Sequence, residues 1–257
     1  MIVKNLYHTL FLLPIIALLV SCSKEKKSIC EEQLPIVVNV NCTPDAESFQ
    51  LLQWDAKQLA IRALSQAGGP YADSIDLPDA IWMPYVQYLA ATREAINTVK
   101  CEDMDLISDL KVRPATSMHQ LLIQLDSSSA WANVLLAGGF PTGDSIIDDL
   151  IATYDLHLED VYHWSIGNFA LLESEEPLNL QPLIAAFATH PDVIDVFANS
   201  LIGGGSDIRL VQERNSILLE YDIGKGDCPS GCIEHDIWSF RVFPNCTVAY
   251  IGFRHEP

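Results

Sequence analysis

The chain has 257 residues and is 49% hydrophobic, and its 34 Asp and Glu residues outnumber 15 Lys and Arg residues to give a formal net charge of −19. This much apolar sequence supports a hydrophobic core and excludes wholesale disorder. Because nucleic-acid binding depends on Lys and Arg residues that neutralise phosphates, the charge argues against a nucleic-acid partner and against a basic face that docks on anionic lipid.

The first predicted element is a signal peptide at residues 1–21. Lys4 precedes an apolar run at residues 10–20, and small residues follow that run. This order is typical of secretory signals. A transmembrane helix is the alternative, but the run is shorter than the roughly 20 residues that a bilayer core requires, and Pro14 interrupts it. The sequence therefore predicts an extracytoplasmic protein.

Residues 19–22 (LVSC) resemble a bacterial lipobox. The resemblance implies cleavage before Cys22, acylation of Cys22 and a mature lipoprotein that the membrane holds through this residue. We predict an anchor in the outer membrane, on its periplasmic face or at the cell surface, with residues 22–42 as a tether. Residues 23–27 (SKEKK) resemble the surface-export signals of Bacteroidetes lipoproteins. They are mostly basic, whereas that signal is usually acidic, so the sequence does not choose between the two faces of the outer membrane.

A helical segment is predicted at residues 43–113. Thr43, Pro44 and Asp45 offer a capping hydroxyl, a proline for the first turn and an acid for the positive end of the helix dipole. Apolar residues then recur at helical spacing until Gly68. A second helix is predicted at about residues 79–99, restarted at Pro84 because proline interrupts helical hydrogen bonding.

After residue 114 the periodicity changes, and residues 114–257 are predicted to form an α+β domain. Residues 118–125 alternate as a strand, and residues 131–136 favour a helix. The elements that follow are a helix, two strands, a helix and a strand, at residues 145–153, 156–164, 166–173, 180–189 and 193–198. This β-α-β-β-α-β order is that of a ferredoxin-like unit, with one antiparallel sheet and both long helices on one face.

The tail is rich in predicted strands, at residues 216–221, 237–242 and 247–251, and extends the ferredoxin-like unit at its C-terminal side. The predicted fold class is thus α+β, with N-terminal helices that pack on the antiparallel sheet. One sheet is expected to hold the strands of the whole domain.

Cysteine spacing predicts disulfides, because six cysteines remain for an oxidising compartment once Cys22 is assigned to lipid. Cys228 and Cys232 flank a Pro-Gly turn and are predicted to pair. Proximity along the chain favours a Cys30–Cys42 pair, which leaves Cys101–Cys246. Sequence alone does not choose among the fifteen possible pairings.

Two chemical alternatives remain for the C-x3-C segment. Cys228, Cys232, His235 and Cys246 together offer four zinc-competent donors, and Cys228 with Cys232 could be a redox dithiol. The spacing differs from the C-x2-C of zinc ribbons and thioredoxins. A structural disulfide is therefore favoured, and no metal or cofactor is expected.

Residues 226–233 (GDCPSGCI), together with Trp238 and Phe240, resemble a family of uncharacterised secreted proteins and lipoproteins that is common in Bacteroidetes and related bacteria. The likeness covers about residues 75–255, and the resemblance implies no activity. More weakly, residues 183–197 are similar to the inhibitory propeptides of subtilisin-like proteases, which share the split β-α-β motif.

Sequence motifs of hydrolases and nucleotide-binding enzymes (G-x-S-x-G, H-E-x-x-H and the P-loop) do not occur. The candidate site residues are of two kinds. Four scattered histidines could pair with acids: His119, His157, His163 and His235. A run of glycines suits either a close ligand or a flexible turn: Gly203, Gly204 and Gly205. The composition and motifs favour a non-catalytic binding or inhibitor-like module, with an envelope or extracellular protein as its partner.

The alternatives are a secreted hydrolase, a thiol-redox protein that uses Cys228 and Cys232, and a structural envelope protein. A convergent cluster of polar side chains in one pocket would favour an enzyme. An exposed apolar edge or patch would favour binding.

Overall fold

The computed structural model describes residues 34–99, 101, 104–113, 116–200 and 203–257. These residues form an α+β fold with two antiparallel sheets, as the periodicity predicts. The helices are α1 (Ala46–Ala67), α2 (Asp79–Val99), α3 (Ala130–Leu136), α4 (Ser145–Thr153) and α5 (Leu180–Ala188). The strands are β1 (Ile36–Asn39), β2 (Thr116–Leu125), β3 (Leu156–Trp164), β4 (Gly167–Ser174), β5 (Val193–Ser200), β6 (Asp207–Gln212), β7 (Ile217–Lys225), β8 (Glu234–Val242) and β9 (Thr247–Glu256).

Strands β2 to β5 with helices α3 to α5 form what we term the ferredoxin-like unit. Its strand order is β3-β4-β2-β5, which places the first and third strands of the motif at the centre. Alternate residues of β2 face a core that also contains side chains of α4 and α5, among them Ile147 and Phe187. Both helices therefore lie on one face of the sheet, and this prediction is confirmed.

The remaining elements form what we term the framework unit: β1, α1, α2 and β6 to β9. Its sheet has the order β1-β9-β8-β7-β6. Leu59 of α1 and Leu89 of α2 share one core with Tyr221, Trp238 and Phe240 of the sheet. The strands thus divide between two sheets, whereas the sequence suggested one, because successive hairpins pair β6 to β9 with each other.

The helices of the framework unit begin and continue for local reasons. The Asp45 carboxylate accepts a hydrogen bond from the Ser48 amide at 2.7 Å and caps α1. Helix α2 runs from Asp79 to Val99 with Pro84 inside it, so the predicted restart is wrong. Pro84 lies near the start of α2, and packing of the apolar stripe outweighs one missing hydrogen bond.

Strand β1 corrects the predicted tether. Residues 36–39, which are part of the predicted tether at residues 22–42, pair antiparallel with β9, with Ile36 opposite Tyr250. Partly buried side chains of β1 pack on the framework core. The ordered fold therefore includes part of the segment that sequence reasoning assigned to the tether.

Two disulfides connect described residues, Cys42–Cys246 and Cys228–Cys232, with Cα separations of 5.5 and 4.0 Å. The predicted pairs Cys30–Cys42 and Cys101–Cys246 are wrong, because β1 pairs with β9 and brings Cys42 to Cys246. Cys101 is also disulfide-bonded, and its partner lies outside the described residues.

Across the described ranges, the helices are all too short or too polar to cross a bilayer.

Candidate functional site

A cavity of about 670 Å³ lies where the two units meet. We term it the junction cavity. Its walls come from α1, the start of β2, the loop before β6, and the segment that leads into β8. The polar and glycine residues that line it include Arg62, Arg113, Gly203, Gly204, Gly205, Asp207, Arg209 and His235. Most of these residues lie near the β6 edge of the framework sheet.

Asp207 holds two arginines at the cavity wall. Arg62 donates two hydrogen bonds to its carboxylate, at 3.0 and 3.2 Å. The backbone amide of Arg113 donates to the same carboxylate at 2.6 Å, and the Arg113 guanidinium bonds the carbonyl of Gly204. Asp207 therefore fixes Arg62 directly and fixes Arg113 through its main chain.

Asp222 organises the part of the wall around Arg209 and His235, and it pairs directly with Asp207 across strands β6 and β7. Its side chain is fully buried and lies on β7, next to β8 in the sheet. The carboxylate accepts a hydrogen bond from Nδ1 of His235 at 2.7 Å and forms an ion pair with Arg209. A buried carboxylate requires such partners, so Asp222 holds Arg209 and His235 in place.

The glycine run is explained by close packing against the Cys228–Cys232 loop. A Cβ atom at Gly204 would lie 2.6 Å from the Cys232 amide nitrogen, and one at Gly203 would lie 2.5 Å from the Cys228 carbonyl. Gly203 also has a positive φ of 84°, which favours glycine. The predicted glycine run and the predicted disulfide thus form one wall of the cavity.

The predicted zinc set does not assemble, because Cys42 takes Cys246 and the other two cysteines bond each other. Among the four candidate histidines, His235 lines the cavity. His119 packs on Trp54, and burial lowers its pKa although Glu173 opposes this shift. His163 pairs with Asn168.

His157 belongs to another group. Ligand atoms of His157, Glu159 and Glu173 lie within 4.8 Å of one another at the surface, so this group could hold a metal. Cys22, the predicted lipid attachment site, lies outside the described residues.

The face of the ferredoxin-like sheet opposite its helices carries a second candidate surface. The rings of Tyr162 and Trp164 stack at 5.0 Å, and Trp164 lies 4.7 Å from the buried Phe169, which in turn lies 6.4 Å from Phe197. Trp164 is 48% exposed and Phe197 39% exposed. We term these four residues the aromatic face.

Sequence reasoning missed the aromatic face. Tyr162 and Trp164 share a face with Phe169 because a bulge between Leu158 and Asp160 shifts the register of β3. Phe197 lies on the same face because β5 pairs with β2, and not with β4, which precedes it in the chain. Alternation along each strand could have marked these rings as outward, but not as adjacent.

Charge is divided unequally between the two units. Residues 116–200 contain no lysine and no arginine. Their twelve acidic residues are Asp126, Asp144, Asp148, Asp149, Asp155, Asp160, Asp192, Asp195, Glu159, Glu173, Glu175 and Glu176. The aromatic face therefore belongs to a unit in which no lysine or arginine offsets the twelve acids.

Comparisons of the chain with protein-family models, with curated proteins and with solved structures found no match. The function is therefore argued from the chain's own residues.

Proposed function

We propose that this protein is a lipid-anchored, extracytoplasmic binding module that docks a basic polypeptide on its aromatic face. The observation that carries the proposal is the cluster of partly exposed rings on a unit without a single lysine or arginine. Exposed aromatic patches of this kind mark interaction surfaces more often than they mark ordinary surface. An inhibitor-like role is one version of this function.

The chemistry of the partner follows from the surface around the rings. Asp160 lies two residues before Tyr162 on β3, and Asp195 lies two residues before Phe197 on β5, which forms the other edge of the sheet. Acids around an apolar centre attract a cationic partner and repel an anionic one. Aromatic rings in the centre supply most of the binding free energy, while the acids raise the association rate.

The proposed lipid anchor determines the compartment in which the module would meet its partner. Acylation of Cys22 would hold the module at an envelope membrane, and the resemblance to secreted proteins of Bacteroidetes supports the same compartment. A partner at the membrane surface or in the extracellular medium is therefore proposed. High local concentration at the membrane would compensate for modest affinity.

The test uses the mature full-length chain and two fluorescent synthetic peptides of equal length, one alternating lysine with leucine and one alternating glutamate with leucine. We expect the lysine peptide to bind and the glutamate peptide not to bind. Trp164→Ala should weaken binding by about tenfold or more, the loss typical of a central aromatic anchor. Fluorescence anisotropy measures both affinities.

Matched control variants test whether binding depends on the aromatic face and not on any exposed ring or any surface acid. Phe140→Ala removes another exposed ring, 56% exposed, and should leave binding unchanged. Asp160→Asn should reduce the association rate and the salt dependence, whereas Asp149→Asn on α4 should do neither. Equal binding of both peptides, or competition by a neutral oligosaccharide, would contradict the proposal.

A hydrolase is the second candidate function, and the Asp222–His235 pair favours it. A carboxylate that orients an imidazole in a cavity is the arrangement of a general base, and the hydroxyls that line the cavity belong to Ser65 and Thr116. Ester turnover that disappears in His235→Ala would support this candidate.

The thiol-redox alternative has its own test. If Cys228 and Cys232 exchange with thiols, their disulfide in the wild-type chain should oxidise a dithiol substrate to its disulfide and become two thiols, and Cys228→Ser should not. A purely structural disulfide predicts equal, negligible rates for both proteins.

A further inference from the structure

We propose that the junction cavity is a binding site for a small molecule that presents an oxyanion, either a carboxylate or a phosphate. This site is separate from the aromatic face and does not depend on the function proposed for it. Its recognition elements are the side chains of Arg62, Arg113, Arg209 and His235.

The first observation in favour of an anion site is the clustering of arginines at this cavity. The chain has seven arginines and a formal charge of −19, yet three of the seven line this one cavity. The acid that lines it with them is Asp207, and Asp222 lies buried behind the wall. Three guanidiniums therefore gather at one cavity in a protein whose formal net charge is strongly negative.

Asp222 positions Arg209 and His235, and both side chains stay partly exposed. A guanidinium has five N–H groups, and Asp222 engages Arg209 from the buried side while the Arg209 side chain is 45% exposed. His235 uses Nδ1 for Asp222, which leaves Nε2 as its second nitrogen, and its side chain is 25% exposed. Donors fixed in advance bind an anion without a further ordering cost.

The shape of the cavity fits a small ligand. Its volume of about 670 Å³ lies within the range of about 300 to 1,000 Å³ for small-molecule sites, which often lie between domains. Gly203, Gly204 and Gly205 keep side chains out of one wall. Gly203 and Gly204 pack on the Cys228–Cys232 loop, and Gly205 lies against the Arg113 guanidinium. Guanidinium groups match planar carboxylates and phosphates through paired hydrogen bonds.

The experiment titrates the full-length mature chain with citrate, succinate and inorganic phosphate, with succinamide as the uncharged analogue. Isothermal titration calorimetry should show saturable binding of one or more of the anions at one site, and no binding of succinamide. The preferred anion tells a carboxylate ligand from a phosphate ligand. Arg209→Gln should weaken binding by about tenfold or more, as expected for a lost charge-assisted bond.

Arg241→Gln is the matched control, since Arg241 pairs with Glu213 elsewhere on the same sheet, and it should bind like wild type. Arg209→Gln also leaves the buried Asp222 with one partner fewer, so this variant changes more than the contact with the anion. The Arg side-chain NMR signals of the wild-type chain therefore provide a second readout that needs no substitution. Shifts confined to Arg62, Arg113 and Arg209 on titration would support the site. Absence of saturable anion binding, equal loss in both variants, or shifts spread over all arginines would overturn it.

Discussion

The framework unit buries carboxylates, among them Asp55 and Asp222. Asp55 on α1 is 2% exposed, accepts a hydrogen bond from the Val112 amide at 2.9 Å and lies 3.5 Å from Lys111 Nζ. Burial raises the pKa of Asp55 in spite of these partners. The ionised form of Asp55 therefore costs stability in the folded state.

Asp55→Asn should be at least as stable as the wild type at pH 7. A folded-state pKa above the unfolded value means that the ionised carboxylate destabilises the fold, and this cost grows as pH rises from the unfolded pKa through the folded pKa. The advantage of the variant should therefore vanish near pH 3, below the usual aspartate pKa of about 3.9. Urea unfolding at several pH values measures the difference.

The control for this prediction is Asp55→Ala. Alanine leaves the Val112 amide without an acceptor and should cost about 1–3 kcal/mol relative to Asp55→Asn at every pH, the penalty for an unsatisfied buried donor. If Asp55→Asn loses more stability at pH 7 than at pH 3, the charge of Asp55 stabilises the fold and our interpretation is wrong.

At the scale of elements, the two disulfides between described residues stabilise different parts of the fold. Cys42–Cys246 joins residues 204 positions apart and fastens the start of the described chain to the turn before β9. Cys228–Cys232 closes a loop of only four positions and supports the glycine wall of the junction cavity. Loop-closure entropy makes the first bond the stronger stabiliser of the whole fold.

We therefore predict unequal losses of stability on removal of the two bonds. The double substitution Cys42→Ser and Cys246→Ser should cost about 4–5 kcal/mol, whereas Cys228→Ser with Cys232→Ser should cost less than the roughly 3 kcal/mol of a 15-residue loop. Chemical denaturation under non-reducing conditions measures both. Equal losses would show that strain or residual structure, and not loop length, dominates.

The elements themselves were largely predictable because each depends on neighbours in sequence. Leu121, Ile123 and Leu125 alternate into one core, and Asp144 caps α4 through bonds to the amides of Ile146 and Ile147. Strand β1 was missed because four residues carry too short a pattern, and its pairing partner β9 lies at the other end of the chain.

At the scale of the molecule, two units with different distributions of basic residues meet at the junction cavity. The ferredoxin-like unit has no lysine or arginine, and all seven arginines lie in the segments on either side of it, three of them at the cavity. A negative unit with exposed rings and a cavity with positive walls suit two different ligands. The proposed membrane anchor would present both.

The anchor is tested by Cys22→Ser. Without the thiol, acylation cannot occur, so the protein should shift from the detergent phase to the aqueous phase on Triton X-114 partition, and labelled palmitate should no longer be incorporated. Ser23→Ala, next to the site, should behave like the wild type. A Cys22→Ser protein that remains in the detergent phase with the same mature N-terminus would contradict the lipobox interpretation.

The sequence by itself determined the α+β class, the order of the ferredoxin-like elements and the acidic surface, since periodicity, caps and charge are properties of short segments or of composition. Only the tertiary structure decided the division into two sheets, the Cys42–Cys246 bond, the junction cavity and the aromatic face. Each of these joins residues far apart in the chain, and the free energy that brings them together comes from burial of the cores around them, which no local pattern encodes.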